Sequence, residues 1–485
     1  MSSLHDTAAL SCAGARSVHV MVIDRVRPAN RQRREHVQQP ATCRLQALDH
    51  LERDDLRRYP VAVAHRLLWQ RPGNRSHRER VVEESGIGAA GGAYEGLKVV
   101  DFSQGIAGPY CAQILRQHGA RVTKVEPLTG DWGRGIGYSD QGFNALAIVN
   151  NLGKRSIAID ASSPDGRTLM RRLCNGADIV IESFRPGVMT RLGLGWESLS
   201  ADDPALVYVS VTAFGGSGPD AARPGSDSTL QAVSGMMRAN RDSAGNPRKV
   251  GLLVVDVTTG IYTAQATGAA LYHRAKSGKG THVQASLLEA AVALQGNSIV
   301  DAALGGGQAA RPYSVPAGTF ATSDGYINVT SLHDRMFAGL CRAIGRPEWQ
   351  ADERFATAED RHRHASVIQQ VLDETFRRRA SVEWQRALTA EGVVCGVVAD
   401  YDALQTDPQV ASLGIFQQVV HDGRGVHVPR VPGACADLPA EPAPRVGEHS
   451  REILTETGLS PAQIDELIAR GIVGVADRSS GVGAA

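Results

Sequence analysis

Residues 97–126 read LKVVDFSQGIAGPYCAQILRQHGARVTKVE, and this stretch decides the fold class. Residues 97–102 form a continuous apolar run rather than an alternating one, which is typical of a strand buried on both faces. A loop at residues 103–108 precedes a helical pattern with Pro109 at its predicted first position, and residues 121–126 are the next predicted strand. This order predicts a βαβ unit, and therefore an α/β fold with a parallel sheet covered by helices on both faces.

The same alternation continues along the chain. Strands are predicted at residues 156–160, 178–182 and 206–211, and a helix begins at Ser163-Pro164 and ends by Gly176. Residues 251–284 predict a strand that ends in Asp256, a helix of small residues, a Gly-Lys-Gly turn and a second strand. Residues 285–301 predict one long helix rich in Ala, Leu and Val.

The pattern of predicted elements changes after Gly305-Gly306-Gly307, three consecutive glycines that are expected to end a helix. Alternating short strands around a Ser-Asp-Gly turn and amphipathic helices over residues 334–391 predict a smaller α+β domain at 312–400. The sequence then predicts a large domain at 95–300, a segment of helix, loop and capped helix at 401–473, and a loose tail at 474–485.

The first 80 residues differ in charge from the rest of the chain. They hold 15 Arg, no Lys and 8 Asp or Glu, a net charge of +7. A basic arm for nucleic acid is one interpretation. A disordered tail, or a start codon placed too far upstream with Val81 or Val82 as the alternative, fits better because residues 1–80 show no sustained periodicity. We therefore expect residues 1–94 to be an extension outside the folded domains.

The overall composition limits the class of protein. The chain has 485 residues, 42% of them hydrophobic, and a net charge of +1. This predicts a globular protein of two or three domains, with no membrane span and no charge bias toward nucleic acid. Seven scattered cysteines form no Cys-x-x-Cys pair, which predicts a reduced, cytoplasmic protein without a structural metal.

The glycines after the first strand invite comparison with dinucleotide-binding loops. Only half of the G-x-G-x-x-G fingerprint is present, so a nicotinamide cofactor is weakly supported, although backbone N–H groups at a helix start can still hold a phosphate. The segment 133–137, GRGIG, is predicted to be a flexible loop. Basic residues in loops after strands predict a ligand with several phosphates at one sheet edge; these are Arg134, Lys154, Arg155, Arg185 and Arg191.

Asp256, at the mouth of an apolar run and the start of a helix, has two interpretations. As a helix cap it would gain from the helix dipole. As a nucleophile it would need low solvation and nearby N–H donors for a developing oxyanion. Spacing alone favours the cap, and the two roles can coexist.

Several ordered motifs together resemble class III CoA-transferases of the formyl-CoA transferase and carnitine CoA-transferase type. They are LKVVDFSQGIAGP, KVEP…GD, NNLGKRSIAID, ESFRPGVMTRLGLGWE, SVTAFGGSGP…RPGSD…QAVSG, VVDVTTG…GKGTHVQASLLEA and PRVGEHSREIL. The resemblance covers about residues 95–473, and residues 1–94 match nothing in it.

The resemblance implies a fold and a set of site residues. It implies a Rossmann-like large domain, a smaller inserted domain and an interlocked homodimer. The nucleophilic aspartate of the family falls on Asp256, and Gly305 to Gly307 resembles a glycine loop that shields the intermediate. The implied CoA contacts are Ile106, Ala107, Lys154, Ser183, Phe184, Arg185 and Arg191.

The implied reaction is transfer of CoA between carboxylic acids through aspartyl anhydride and aspartyl-CoA thioester intermediates, with acyl-CoA and a free acid as substrates and no metal or redox cofactor. Related α-methylacyl-CoA racemases carry a histidine base where this chain has Ser226, and serine cannot remove an α-proton at neutral pH. Asp227 is a possible contributor to the acceptor pocket. The alternatives are a racemase or epimerase of the same fold, a nicotinamide-dependent dehydrogenase and an inactive partner subunit.

Overall fold

The computed structural model describes residues 92–140, 143–242, 244–305, 313–421 and 423–476. The strands of this part of the chain are Lys98–Asp101 (β1), Arg121–Glu126 (β2), Ser139–Asp140 (β3), Phe143–Asn144 (β4), Arg155–Ile159 (β5), Ile179–Glu182 (β6), Val207–Thr212 (β7), Thr281–Ser286 (β8), Ala317–Ala321 (β9), Tyr326–Thr330 (β10), Val394–Val397 (β11), Phe416–His421 (β12), Arg424–Pro429 (β13) and Val473–Gly474 (β14).

The α-helices of the same residues are Ala107–Gln117 (α1), Ala145–Asn151 (α2), Pro164–Cys174 (α3), Val188–Arg191 (α4), Trp196–Asp202 (α5), Asp227–Val233 (α6), Met236–Ala239 (α7), Val254–Ser277 (α8), Leu287–Leu294 (α9), Gly296–Leu304 (α10), Asp334–Ala343 (α11), Ala358–Arg363 (α12), Ala365–Phe376 (α13), Ser381–Ala390 (α14), Tyr401–Thr406 (α15), Pro408–Ser412 (α16), Ser450–Glu456 (α17) and Pro461–Ala469 (α18). Short 3₁₀ helices lie at Trp132–Gly135, Pro347–Gln350 and Glu353–Phe355.

A seven-stranded sheet dominates the fold, in the order β14-β5-β2-β1-β6-β7-β8. Its strands pair in parallel, except that β14 runs antiparallel to β5 at the edge. The predicted parallel sheet is therefore confirmed. The chain builds outward from β1 in one direction and from β6 in the other, so the carboxyl ends of β1 and β6 form the switch point where α/β sheets bind ligands.

Burial on both faces explains why the strands read as continuous apolar runs. Val99 of β1 packs with Ile179 and Ile181 of β6 against α1 and α8 on one face. Val100 and Val180 point to the opposite face and pack with side chains of α3. Because residues 99–101 of β1 and all four residues of β6 are buried, the alternation that marks a half-exposed strand is absent.

The C-terminal residues complete the core that contains Val100, Val180 and the side chains of α3. Leu454 of α17, Ile464 of α18 and Val473 of β14 are buried with the side chains of α3. Val473 also pairs with Ile159, which extends the sheet beyond β5. The last described residues therefore belong to the same sheet as the first ones.

A separate cluster of buried side chains lies within residues 315–393. It packs helices against the antiparallel sheet β11-β10-β9, and Phe320, Phe376 and Trp384 are at its centre. The hairpin and amphipathic helices predicted for this region are confirmed. The antiparallel hairpin of β12 and β13 was not predicted.

Two predicted elements were wrong. Residues 251–253 form no strand, because the β-branched pair Val254 and Val255 already lies in the first turn of α8. The single helix predicted at 285–301 is two helices, α9 and α10, which meet at an angle of 60° at Gly296. Helix α1 begins two residues earlier than predicted, so Pro109 is its third residue.

Several predictions lie outside the described residues. They concern the extension before Gly92, Gly306 and Gly307 of the predicted glycine loop, and the tail after residue 476. Of that glycine loop the structure describes Gly305, which ends α10.

Candidate active site

A cavity of about 340 Å³ opens at the switch point of the sheet, beside the loops that follow β1 and β6. Asp256 of α8 lies in its wall. The other lining residues are Gln104, Ile106, Ala107, Gly108, Trp132, Ser183, Phe184, Arg185, Pro186, Val211, Thr212, Ala213, Ala221, Arg223, Pro224, Gly225, Ser226 and Leu287.

The loop after β1 is held to the loop after β6 and to the 3₁₀ helix. The N–H of Gln104 donates to Ser183 Oγ at 2.8 Å, and the N–H of Gly105 donates to Asp131 Oδ1 at 2.8 Å. Gly105 has φ +82°, and a Cβ there would overlap the Trp132 ring. The position therefore requires glycine for two reasons, its backbone conformation and the close approach of Trp132.

A buried ion network lies beneath this loop. Lys154 Nζ donates to Asp101 Oδ2 at 2.9 Å and to the carbonyl of Pro109 at 2.9 Å. Lys124 Nζ donates to Asp131 Oδ2 at 2.8 Å and to the carbonyl of Ser103. Burial lowers the pKa of Lys154 to about 8. Buried charges must be paired, and these charges are. Because the two lysines also donate to the carbonyl groups of Ser103 and Pro109, the network holds both ends of the loop that borders the cavity.

The segment 133–137 was predicted to be a flexible loop, but its first three residues lie in a 3₁₀ helix. Arg134 lies in the 3₁₀ helix Trp132–Gly135 and forms two hydrogen bonds to Glu126, at 2.7 and 2.9 Å. Glu126 is the acid that ends β2, the position at which a dinucleotide-binding fold holds a ribose. Its carboxylate is occupied by Arg134, which further weakens the nicotinamide interpretation.

Asp256 does not cap its helix. It is the third residue of α8, within the first turn, and the N-cap position is occupied by Leu253, which has no capping side chain. The carboxyl is half-buried. Burial raises the pKa of Asp256 to about 7, and the negative charge of Asp227 contributes to the increase. The low solvation that a nucleophile requires is therefore present.

The cap of α8 comes from another helix. Asp227, the first residue of α6, accepts hydrogen bonds through Oδ2 from the N–H groups of Val255 at 2.7 Å and Asp256 at 3.1 Å. No local pattern could have revealed this contact, because the two partners are separated by 28 and 29 residues. The only signal in the sequence was an acid next to the Ser226 position.

Ser226 lies in the wall of the Asp256 cavity as the N-cap of α6. Its hydroxyl oxygen accepts a hydrogen bond from the N–H of Thr229 at 3.4 Å. No histidine is among the described residues that line the cavity. The cavity therefore holds a carboxyl group but no imidazole base.

Five of the seven predicted CoA contacts meet at this cavity. Ile106 and Ala107 approach from the start of α1, and Ser183, Phe184 and Arg185 from the loop after β6. Lys154 is buried in the ion network instead, and Arg191 is exposed on α4 and does not line the cavity.

The predicted cluster of five cations at one sheet edge was wrong. Lys154 and Arg155 lie at the start of β5, not after a strand, and Arg155 pairs with Glu452 and Glu456 of α17. Arg134 is paired with Glu126. Among the described residues, only Arg185 and Arg191 of the five form no ion pair.

A second cavity, of about 390 Å³, lies on the other side of residues 184–186. Glu182 Oε2 accepts from the N–H of Phe184 at 2.8 Å, and burial raises the pKa of Glu182. His282 contacts Ser210 Oγ through Nε2 at 3.0 Å and stacks on Trp196. These polar groups bond to one another and hold the backbone that separates the two cavities.

The described residues contain no group of three or more His, Cys, Asp or Glu side chains placed to hold a metal ion. No single helix among them is long and apolar enough to cross a membrane, and the bent pair α9 and α10 passes that test by length and composition only.

The chain is similar to known proteins in sequence and in fold. Residues 94–450 match the family model described as CoA-transferase family III. The chain is 33% identical to a succinate–glutarate CoA-transferase of Agrobacterium fabrum, a match over 74% of this chain and 94% of that protein. It is 32% identical to a probable fatty acyl-CoA transferase of Mycobacterium tuberculosis, over 74% and 97%. A CAIB/BAIF family protein of Brucella suis has a similar crystal structure, with a TM-score of 0.68, 33% identity and coverage of 76% of this chain and 100% of that one.

Proposed function

The chain belongs to CoA-transferase family III, and we propose that it moves coenzyme A from an acyl-CoA thioester to a carboxylic acid with Asp256 as the covalent residue. The observation that carries the proposal is the half-buried carboxyl of Asp256 in a cavity bordered by the loops after β1 and β6. Poor solvation makes a carboxylate a stronger nucleophile toward a thioester carbonyl.

The first half-reaction frees the donor acid. The Asp256 carboxylate attacks the thioester carbonyl carbon, the carbon–sulfur bond breaks, and CoA leaves as a thiolate. The product is an anhydride between Asp256 and the donor acyl group. The thiolate then attacks the aspartyl carbonyl, which releases the donor carboxylate and leaves an aspartyl-CoA thioester.

The second half-reaction repeats these steps in reverse. The acceptor carboxylate attacks the aspartyl thioester, the thiolate leaves again, and a new anhydride forms. The thiolate then attacks the acceptor carbonyl, which yields acceptor-CoA and regenerates the Asp256 carboxylate. An anhydride and a thioester are both reactive enough to exchange, and both would hydrolyse if water entered freely.

The start of α1 supports the same reaction. The first N–H groups of a helix have no partner inside it, and those of α1 border the cavity through Ala107 and Gly108. They are suited to hold a developing oxyanion. In this proposal Ile106, Ala107, Ser183, Phe184 and Arg185 contact CoA. Lys154 supports the loop from below, and Arg191 meets the ligand only where CoA extends beyond the cavity.

Racemisation is the nearest competing function. It requires a base that removes the α-proton of the acyl group. The Ser226 hydroxyl is a helix cap and cannot serve as that base. Exchange of the acyl α-proton in heavy water distinguishes the two functions, because CoA transfer leaves the α-carbon untouched.

We also propose an interlocked dimer in the cytoplasm, with residues 312–400 as an inserted domain. Exposed apolar side chains on α8 and α10 support the dimer; they include Ile261, Tyr272, Val300 and Leu304. The separate core within 315–393 supports the inserted domain, and the scattered cysteines support a reduced compartment. Light scattering of the purified protein measures the oligomeric state.

The test of the proposed function is Asp256→Ala. The variant is expected to lose CoA transfer to background while CoA binding, measured by calorimetry, changes less than about tenfold, because the CoA contacts are on other residues. The donor and acceptor for the assay come from a panel of acyl-CoAs and free acids analysed by mass spectrometry. Full transfer activity in the variant would refute the role of Asp256.

A further inference from the structure

The N-terminus of α8 depends on a side chain from outside its own segment. Asp227 accepts from the N–H groups of both Val255 and Asp256, two of the donors that a helix start leaves without partners. Leu253, at the N-cap position, provides no side-chain acceptor. The backbone of the proposed nucleophile is therefore bonded directly to a second carboxylate.

Asp227 is itself held rigidly. It is 4% exposed, and its Oδ1 accepts from Gln231 Nε2 at 2.6 Å. The other end of that amide, Gln231 Oε1, accepts from the N–H of Val250 at 2.8 Å. Asp227 forms no ion pair within the described part of the chain. Amide donors and the positive end of α8 stabilise its charge, and no cation neutralises it.

We propose that Asp227 is a positioning residue that orients Asp256 through its backbone and, as a neighbouring negative charge, raises the pH below which the enzyme loses activity. This inference rests on the proposed function, in which ionised Asp256 is the nucleophile. It adds a residue that does not line the Asp256 cavity.

Two physical effects follow from the contact. The bond to the N–H of Asp256 fixes where α8 begins, and so fixes the direction in which the reactive carboxyl points. The like charge makes ionisation of Asp256 harder, which favours a more basic and more nucleophilic carboxylate. In return, a larger fraction of Asp256 is protonated, and inactive, at acidic pH.

The other ionisable groups around this helix end are few. Arg185 and Arg223 line the cavity, Tyr110 of α1 contacts α8 at Gly260, and Glu289 and His282 lie on α9 and β8. Among the described residues, Asp227 is the charged group that shifts the pKa of Asp256, in the same direction as burial. Removing its charge is therefore expected to lower that pKa.

The experiment is the pH profile of kcat/KM for Asp227→Asn, which keeps an oxygen acceptor for α8 and removes the charge. The acidic limb of the profile is expected to move down by roughly one pH unit, and the rate on the alkaline plateau to fall. Asp227→Glu, which keeps the charge, is expected to keep the wild-type limb. Asp400→Asn is the matched control, because Asp400 caps α15 by accepting from the N–H of Ala403.

The outcomes separate three cases. A shifted limb in Asp227→Asn alone supports the inference. If the acidic limb does not move, the inference is overturned. A rate lowered equally at every pH would then leave Asp227 as a structural cap, and an unchanged rate would leave it no role in catalysis. If Asp227→Asn does not fold, Asp227→Ser, which also keeps an acceptor without charge, takes its place. Covalent trapping of wild-type Asp256 tests the proposed function separately, so failure of one is not mistaken for failure of the other.

Discussion

Asp256 combines a half-buried carboxyl with a neighbouring negative charge, and this arrangement opposes folding. Its pKa is about 7 in the folded protein and ordinarily 3.8. A carboxyl whose pKa is raised by folding binds protons more tightly in the native state. The contribution of Asp256 to the stability of the folded protein is therefore most favourable below its ordinary pKa. That contribution decreases as the pH rises toward the pKa of the folded state, here between about pH 4 and pH 7.

This predicts that Asp256→Asn stabilises the protein at pH 8 and not at pH 4. At pH 8 the free energy of unfolding should increase by about 2 kcal/mol, after allowance for partial exposure of the side chain. Urea unfolding at the two pH values measures the difference. Asp402→Asn, an exposed residue of α15, serves as control and should change stability by less than about 0.5 kcal/mol at both. Equal stability of Asp256→Asn and wild type at pH 8 would show that the ionised Asp256 carboxylate does not destabilise the folded protein.

The sequence identified Asp256 but not its environment. Its position in an ordered set of motifs pointed to the nucleophile, whereas spacing pointed to a helix cap. In the structure, Asp227 caps α8 instead, because the fold places its carboxylate beside the first N–H groups of that helix. A contact across 28 residues is set by tertiary packing and leaves no trace in a local pattern.

At the scale of elements, the sequence predicted the buried strands and the start of α3 well, but it placed the starts of α1 and α8 too late. Strands β1, β2, β5, β6 and β7 begin and end within one residue of the prediction. Continuous apolar runs of that length fit a strand buried on both faces. Val254 and Val255 have the same β-branched pattern but lie in α8, since the tertiary cap and the following small residues override their local preference.

The small residues of α8 allow it to pack closely on α1. Gly260 is buried, and a Cβ there would lie 2.9 Å from the carbonyl oxygen of Ala107, in the backbone that borders the cavity. Thr259, Thr263 and Thr267 are fully buried, and each donates its hydroxyl to the carbonyl four residues earlier. The helix therefore hides its polar groups while its backbone approaches that of α1.

Gly260→Ala is accordingly expected to destabilise the protein by about 1–3 kcal/mol, because α1 and α8 must separate. The matched control is Gly268→Ala in the same helix, where the Cβ would meet the end of the Tyr94 side chain, which can move aside. That variant should be neutral or gain up to about 1 kcal/mol from helix propensity. Thermal and urea unfolding of both variants provide the comparison. Equal effects at the two positions would contradict close packing at Gly260.

At the scale of the whole molecule, the family match begins at a residue that is bonded into the domain of the large sheet. The family match starts at residue 94. There the N–H of Tyr94 donates to the carbonyl of His118 at 2.8 Å, and a Cβ at Gly92 would overlap the same backbone. The match ends at residue 450, yet Leu454 and Val473 are needed to fill the core beside the sheet.

These boundaries predict that a variant without residues 1–80 keeps full CoA-transfer activity. It removes the basic segment and leaves the contacts of Tyr94 intact. A variant without residues 1–97 is the comparison, and it should lose stability because those contacts are gone. Activity and thermal unfolding of the two variants are measured side by side. A soluble, folded but inactive protein without residues 1–80 would show that the segment takes part in catalysis.

The most direct measurement of the central claim is chemical trapping of the covalent intermediate. Wild-type protein is mixed with an acyl-CoA that it uses and with hydroxylamine, then digested and analysed by peptide mass spectrometry. We predict a hydroxamate on Asp256, none without acyl-CoA and none in Asp256→Ala. Turnover with no modification of Asp256, or with modification of a different side chain, would contradict the account.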